Sequence, residues 1–216
     1  MTTAKAKLYK ITSPNAEPIH GGRGQWFTPT KSKPGKWMPK VEDVAACSRG
    51  YHLIPAIGIV EWLPQKQQTG LLWEAEGRGA QDKDGNKIAF AQARLLKCGG
   101  LLDEVSMRLA AADMAERVLP IFYKVRPKDN RPALAIQAAR DFANGKIDAA
   151  AWAAAGDAAW AAAWGAAWAA AGAAARAAAG AAAGDAAGDA ARAAAGDANA
   201  KIIITCAARR LKEAGK

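Results

Sequence analysis

The stretch DAAAWAAAGDAAWAAAWGAAWAAAG, residues 148–172, decides how the C-terminal half of this chain is read. It opens a tract over 149–200 in which 34 of 52 positions are Ala, ruled into tetrads. Every fourth residue from Trp152 is Trp, Gly or Arg, with Trp at 152, 160, 164 and 168 and Arg at 176 and 192. Ala is the strongest helix former, so the tract reads as helix, with Asp148 as its N-cap. Four residues advance about 400° around a helix, so the marked stripe drifts about 40° per tetrad. Trp160, Trp164 and Trp168 therefore share one face, and the Trp152–Trp168 stripe reads as core. One straight helix of this length would reach about 78 Å. Gly–Asp pairs at 156–157, 184–185, 188–189 and 196–197 read as stops followed by new caps. A break between Gly180 and Asp189 is expected, giving antiparallel helices whose Ala and Gly faces pack closely. The tract offers almost no nucleophile, base or metal ligand, so it speaks of architecture rather than chemistry.

On either side of the tract the helical pattern continues. Val105, Leu109, Ala112, Ala115 and Leu119 recur at helical spacing, which predicts a helix from Asp103 that ends before Pro120. Asp113, Glu116 and Arg117 on it read as surface or inter-helix pairs. Arg131-Pro132 opens a second helix to Phe142, closed by Asn144-Gly145. Lys201–Lys212 reads as a last amphipathic helix through Ile203, Cys206 and Leu211.

Before residue 100 the signals are β. Leu71–Glu76 and Ile88–Leu96 flank the turn-forming Asp82-Lys83-Asp84-Gly85-Asn86, which predicts a hairpin. Alternation puts Trp73 and Ala75 on one face and Glu74 and Glu76 on the other. Cys98-Gly99-Gly100 is expected to end the β pattern. Lys7–Thr12 reads as a strand and Ala56–Leu63 as a short helix stopped by Pro64. The Pro-, Gly- and Lys-rich segment 13–40 holds Trp26, Phe27, Trp37 and Met38, and reads as a loop pinned to a core. The fold class is therefore α+β. A small mixed α/β domain with a β-hairpin occupies 1–100, and an Ala-rich antiparallel helical domain occupies 101–216.

The net charge of +10 is concentrated at the start: residues 1–40 carry eight Lys or Arg against Glu17 alone. Such an arm can attract nucleic acid or an acidic protein, or simply keep an Ala-rich chain soluble. Three widely spaced Cys (47, 98, 206) form no disulfide framework or zinc pattern, which suits a reduced, cytoplasmic protein. The charged start lacks the apolar core of a secretory signal. Asp157, Arg176 and Asp185 interrupt the Ala tract too often for a membrane span. No cofactor is indicated.

Cys47-Ser48-Arg49-Gly50-Tyr51-His52-Leu53 is the most site-like cluster. His52 is suited to acid–base work near neutral pH, or to a hydrogen-bonded place in a core strand with Gly50 as the turn. Pairing of Cys47 with His52 is disfavoured, because five residues along a strand put two side chains on opposite faces. Glu74 and Glu76 could divide acid and base roles, or form the solvated face of the hairpin. If the chain is an enzyme, Tyr9, His52 and Glu76 are the candidate catalytic residues. If it is a binder, the candidates are Lys31, Lys33, Lys36, Trp26, Trp37, Arg49, Tyr51 and His52. The Lys and Trp residues among them would suit nucleic acid through charge and stacking.

Two resemblances follow from longer runs. The segments Leu109–Phe122 and Arg131–Gly145, followed by the Ala/Trp tetrads, resemble an immunity-protein helical domain of bacterial toxin–immunity systems over roughly residues 101–215. Residues 7–98, through Leu8-Tyr9-Lys10, Trp26-Phe27-Thr28-Pro29, Trp37-Met38-Pro39-Lys40 and Cys47–Leu53, resemble a domain of unknown function found in phage and prophage proteins. Together they imply a mobile-element or conflict-system context without an established reaction. The leading expectation is a non-catalytic inhibitor or immunity protein that binds a toxin or a host-defence protein, including anti-CRISPR-type inhibition. The alternatives are an NAD-consuming, ADP-ribosyltransferase-like enzyme and a nucleic-acid binder using residues 1–40.

Overall fold

A computed structural model describes residues 7–65, 68–158 and 185–215. The chain has a mixed α+β architecture: four antiparallel strands come first and helices follow from residue 104. The strands are β1 (Leu8–Thr12), β2 (Tyr51–Pro55), β3 (Gly70–Asp84) and β4 (Lys87–Leu102), and they close into a barrel in the order β1-β2-β4-β3. A 3-10 helix over Ala56–Trp62 follows β2. The long helices are α1 (Glu104–Val125), α2 (Arg131–Ala143) and α3 (Asp185–Glu213), with helical turns also over 149–158.

The hairpin is built as its sequence predicts and is longer. Asp84 pairs with Lys87 across Gly85-Asn86, where Gly85 takes φ +55, the left-handed conformation of a tight two-residue turn. Trp73 and Ala75 are buried while Glu74 and Glu76 are partly exposed, which is the expected alternation. Register shifts at Leu72/Trp73, Glu74/Ala75 and Arg78/Gln81 bend the long ribbon. It can then pair with β1 through β3 and with β2 through β4, as closure of so few strands demands. The expectation that Cys98-Gly99-Gly100 ends the strand is corrected, since β4 runs on to Leu102. Glycine serves there by its size: a Cβ on Gly100 would stand 2.5 Å from the Cβ of Ala207. The strand continues because the last helix lies directly on it.

The segment 13–41 is pinned as expected. Gly35, Met38 and Val41 donate backbone N–H groups to the carbonyls of Leu95, Ala93 and Ala91. Trp26 and Met38 are buried in a cluster with Leu53, Leu71, Trp73, Phe90 and Leu95. The indole N–H of Trp73 donates to Oγ1 of the fully buried Thr12 over 2.8 Å, so both polar groups are satisfied inside the barrel wall.

By compactness the chain divides into two units, one of residues 1–107 with 193–216 and the other of residues 108–192. In the first unit the end of α3 packs on the barrel through buried Ile203, Cys206 and Ala207, and Leu211 lies against the barrel cluster. Asp103 joins the pieces: its Oδ1 caps α1 by accepting the N–H of Ser106 at 2.8 Å, and its Oδ2 accepts Nε of Arg210 at 2.8 Å.

In the second unit Arg140 of α2 reaches Asp113 and Glu116 of α1, each at 2.7 Å, the inter-helix pairing expected of those carboxylates. Phe142 stacks on Trp152 with ring centroids 5.0 Å apart, and Arg108 lies over both rings. Asp148 caps the start of the Ala tract by accepting the N–H of Ala151.

Two stop signals are corrected. α1 passes through Pro120 to Val125: the proline forgoes one helical hydrogen bond, but the ladder resumes, with Arg126 N–H on the carbonyl of Phe122. Gly156-Asp157, Gly188-Asp189 and Gly196-Asp197 lie within helix. A glycine inside a helix costs only about 1 kcal/mol relative to Ala, and the surrounding alanines offset that. The remainder of the predicted break region, from Gly180 to Gly184, and the stripe residues Trp160, Trp164 and Trp168 lie outside the described residues.

Candidate functional site

The β1–β2 ladder is short. It holds only Leu8↔Pro55 and Tyr9↔Ile54, after which β2 continues along β4 instead. Where the two strands part, a cavity of about 350 Å³ opens, lined on one side by Lys10 and Ile11 and on the other by Gly50 and His52. Tyr9, His20, Cys47, Ser48, Trp62 and Lys87 are also part of its wall.

The segment 44–50 is held over this cavity by the tip of the hairpin. Asp82 Oδ2 accepts the N–H of Ala46 at 2.8 Å, and Asp84 Oδ2 accepts the thiol of Cys47 at 3.0 Å. The chain reverses through an Ala45–Arg49 bridge, with Cys47 at φ +65 and Gly50 at φ +114. The Cys47 thiol and the His52 ring do not pair, as expected, but the strand geometry behind that expectation is corrected. Cys47 sits in the reversal rather than along the strand, and its backbone N–H donates to Nε2 of His52 over 3.0 Å.

His52 is neutral by construction. Burial lowers its pKa, and the ammonium groups of Lys10 and Lys87 lower it further, against a hydrogen bond to Gly50 that raises it. An Nε2 that accepts a backbone N–H carries no proton. Its lone pair is therefore spent on the loop, and the ring holds Cys47 in place.

Lys10 is half-buried with its ammonium 5.2 Å from the Trp26 ring, and desolvation pulls its pKa down to about 8. Among the described residues no carboxylate pairs with it. Lys87 is bound to Asp84 at 3.3 Å and lies 5.0 Å from the Trp62 ring. His20 meets Trp62 edge-on and bonds its carbonyl through Nε2 at 2.8 Å, so that nitrogen carries the proton. The indole Nε1 of Trp62 is buried without an acceptor.

The residues singled out from sequence do not form one site. Tyr9 and His52 share the cavity, with the Tyr9 hydroxyl raised in pKa by burial and by nearby Glu74. Glu76 is elsewhere: it lines a separate depression with Lys7 and Gly77 and is bonded to Arg94. Trp26 is buried edge-on against Tyr51. The guanidinium groups of Arg78 and Arg94 lie over the Trp37 ring, 4.0 and 4.6 Å from its centroid. Lys31, Lys33 and Lys36 are exposed, and Arg49 is exposed with Asp43 at 3.9 Å. Lys10, Lys87 and Trp62 are not singled out by sequence as site residues and emerge as cavity residues only in three dimensions. The Asp84-Gly85-Asn86-Lys87 turn, the predicted Lys7–Thr12 strand and the predicted Ala56–Leu63 helix place them one by one in sequence, but nothing local brings them together.

Among the described residues no group of three or more His, Cys, Asp or Glu could hold a metal ion. No helix among them is long and apolar enough to cross a membrane.

Residues 104–203 match the family model described as "Imm-5 like putative immunity protein". No curated protein and no solved structure matches the chain.

Proposed function

We propose that this chain is a non-catalytic immunity-type protein that neutralises a partner by stoichiometric binding. The observation that carries this reading is the match of residues 104–203 to an immunity-protein family, which takes in α1 and α2. The helices add support of their own. Val118 and Ile121, one turn apart on α1, are 56% and 66% exposed, and Leu134 on α2 is 57% exposed. Large aliphatics left in water on a rigid pair of helices are suited to burial against a protein. The Arg140 clamp to Asp113 and Glu116 fixes the two helices that present them. The partner we assign is a toxin or a host-defence protein of a bacterial or phage conflict system.

The test is affinity capture by the tagged full chain from its native host, with and without nuclease, followed by mass measurement of the purified complex. A defined complex with one protein, resistant to nuclease and weakened by Ile121→Asp, is the expected result. Recovery that collapses with nuclease would shift the function to nucleic acid bound through the basic arm.

A further inference from the structure

We propose that the cavity between β1 and β2 is a binding site for a small phosphate monoester, gripped by the ammonium groups of Lys10 and Lys87 with the indole N–H of Trp62 as an added donor. The site lies outside residues 104–203 and stands independently of the immunity reading.

Three observations point the same way. First, the wall contains Lys10 and Lys87 and no Asp or Glu, although Asp84 just outside it pairs with Lys87 at 3.3 Å, so Lys10 is the cation without a carboxylate. A cation partly withdrawn from water is ordinarily paired, because desolvation is costly, and the half-buried Lys10 has only the Trp26 ring near its ammonium among the described residues. Its lowered pKa, due to burial alone, fits that account. Second, the buried Nε1–H of Trp62 has no acceptor, although buried donors are nearly always satisfied. An ammonium lacking a carboxylate and an N–H lacking an acceptor, on one cavity, call for the same thing: an oxyanion.

Third, Lys10, Lys87 and His52 line the same cavity, so a ligand beside the imidazole would feel both charges, in keeping with the lowered proton affinity of that ring. A phosphate monoester brings up to two negative charges and three strong acceptor oxygens, which suits two cations and a neutral donor better than a carboxylate does. The hydroxyl of Ser48 is a further donor on the wall. A volume of about 350 Å³ admits a small organic group beyond the phosphate.

The experiment is isothermal titration of the full chain with phenyl phosphate, inorganic phosphate, acetate and a short single-stranded oligonucleotide. Wild type is compared with Lys10→Met, Lys87→Met and Trp62→Phe, each checked for an intact melt, and with Lys36→Met as a control for diffuse charge. One-to-one saturable binding of phenyl phosphate is expected, stronger than that of acetate. Either Lys→Met change should weaken it by roughly tenfold to a hundredfold, the worth of one charged hydrogen bond, and Lys36→Met should leave it unchanged. No saturation by either phosphate would overturn the assignment. So would equal binding by a folded Lys10→Met or Lys87→Met, an equal loss in Lys36→Met, or an oligonucleotide bound in the same Lys10-dependent way.

Discussion

The backbone N–H of Cys47 donates to Nε2 of His52 across 3.0 Å, turning the one imidazole in β2 into a clasp for the loop above it. Together with the Asp82 and Asp84 bonds to Ala46 and Cys47, it fixes segment 44–50 as one wall of the cavity. His52→Ala should therefore leave the Cys47 amide without its partner, at a cost of about 1–2 kcal/mol. Hydrogen exchange should show faster exchange at Cys47, and unchanged protection there would contradict the clasp. The His52 pKa is lowered, so the folded state favours the neutral ring. This contribution to stability is whole above pH about 6.5, the unfolded value, and declines as pH falls below it.

Lys10 carries the same signature, a lowered pKa, but at neutral pH it is held in its charged form at a cost. Its pKa falls from 10.5 unfolded to about 8 folded, so the folded state disfavours the charged form. Below pH 8 both states are protonated and the penalty is complete; it fades as pH rises towards 10.5, where both are neutral. Lys10→Met should stabilise the protein at pH 7 by about 1–3 kcal/mol, after allowing for the lost Trp26 contact and residual hydration. Denaturant melts of both proteins at pH 7 and near pH 10.5 measure the difference. Equal stability at pH 7 would mean that the ammonium is not desolvated.

Gly100 and Ala207 meet without room for another methyl group. Gly100→Ala should destabilise the barrel by about 1–3 kcal/mol, the usual cost of overpacking. Adding Ala207→Gly should return part of that loss. Thermal melts of the two single variants and the double variant would show it; strictly additive losses would argue against the contact.

Asp103 performs two tasks with two oxygens, capping α1 through Ser106 and holding Arg210 of α3. Asp103→Ala should lose both, about 2 kcal/mol together. Asp103→Asn should keep the cap and lose chiefly the charge-assisted bond. Combining each with Arg210→Ala in a double-mutant cycle separates the two parts. A coupling of zero between Asp103 and Arg210 would remove the ion pair from the account.

Legibility followed the range of the interactions. The hairpin and the Asp148 cap rest on neighbours a few residues apart, and their sequences announce them; Asp113 and Glu116 read as pairing residues, but their partner Arg140, 24 to 27 residues on, is not announced. Pro120 and the Gly–Asp pairs announce stops that do not occur, because a local penalty of a few kcal/mol at most is outweighed by the helix around it. Gly100 reads as a breaker until Ala207 is seen against it. The candidate site was half legible. His52 and the Cys47–Leu53 run stand out by composition. Lys10 looks like one lysine of a basic arm, and Trp62 like the end of a short helix. Their meeting depends on barrel closure and on where the β1–β2 ladder stops, which no local pattern encodes.

The central claim is that the chain acts by occupancy rather than by turnover. The most direct measurement is a titration of the captured partner's activity with increasing amounts of the purified chain. A linear fall to zero at one molar equivalent, independent of incubation time, is the predicted result. Inactivation that completes at a small fraction of an equivalent, or that deepens steadily with time, would contradict it and make the chain a catalyst.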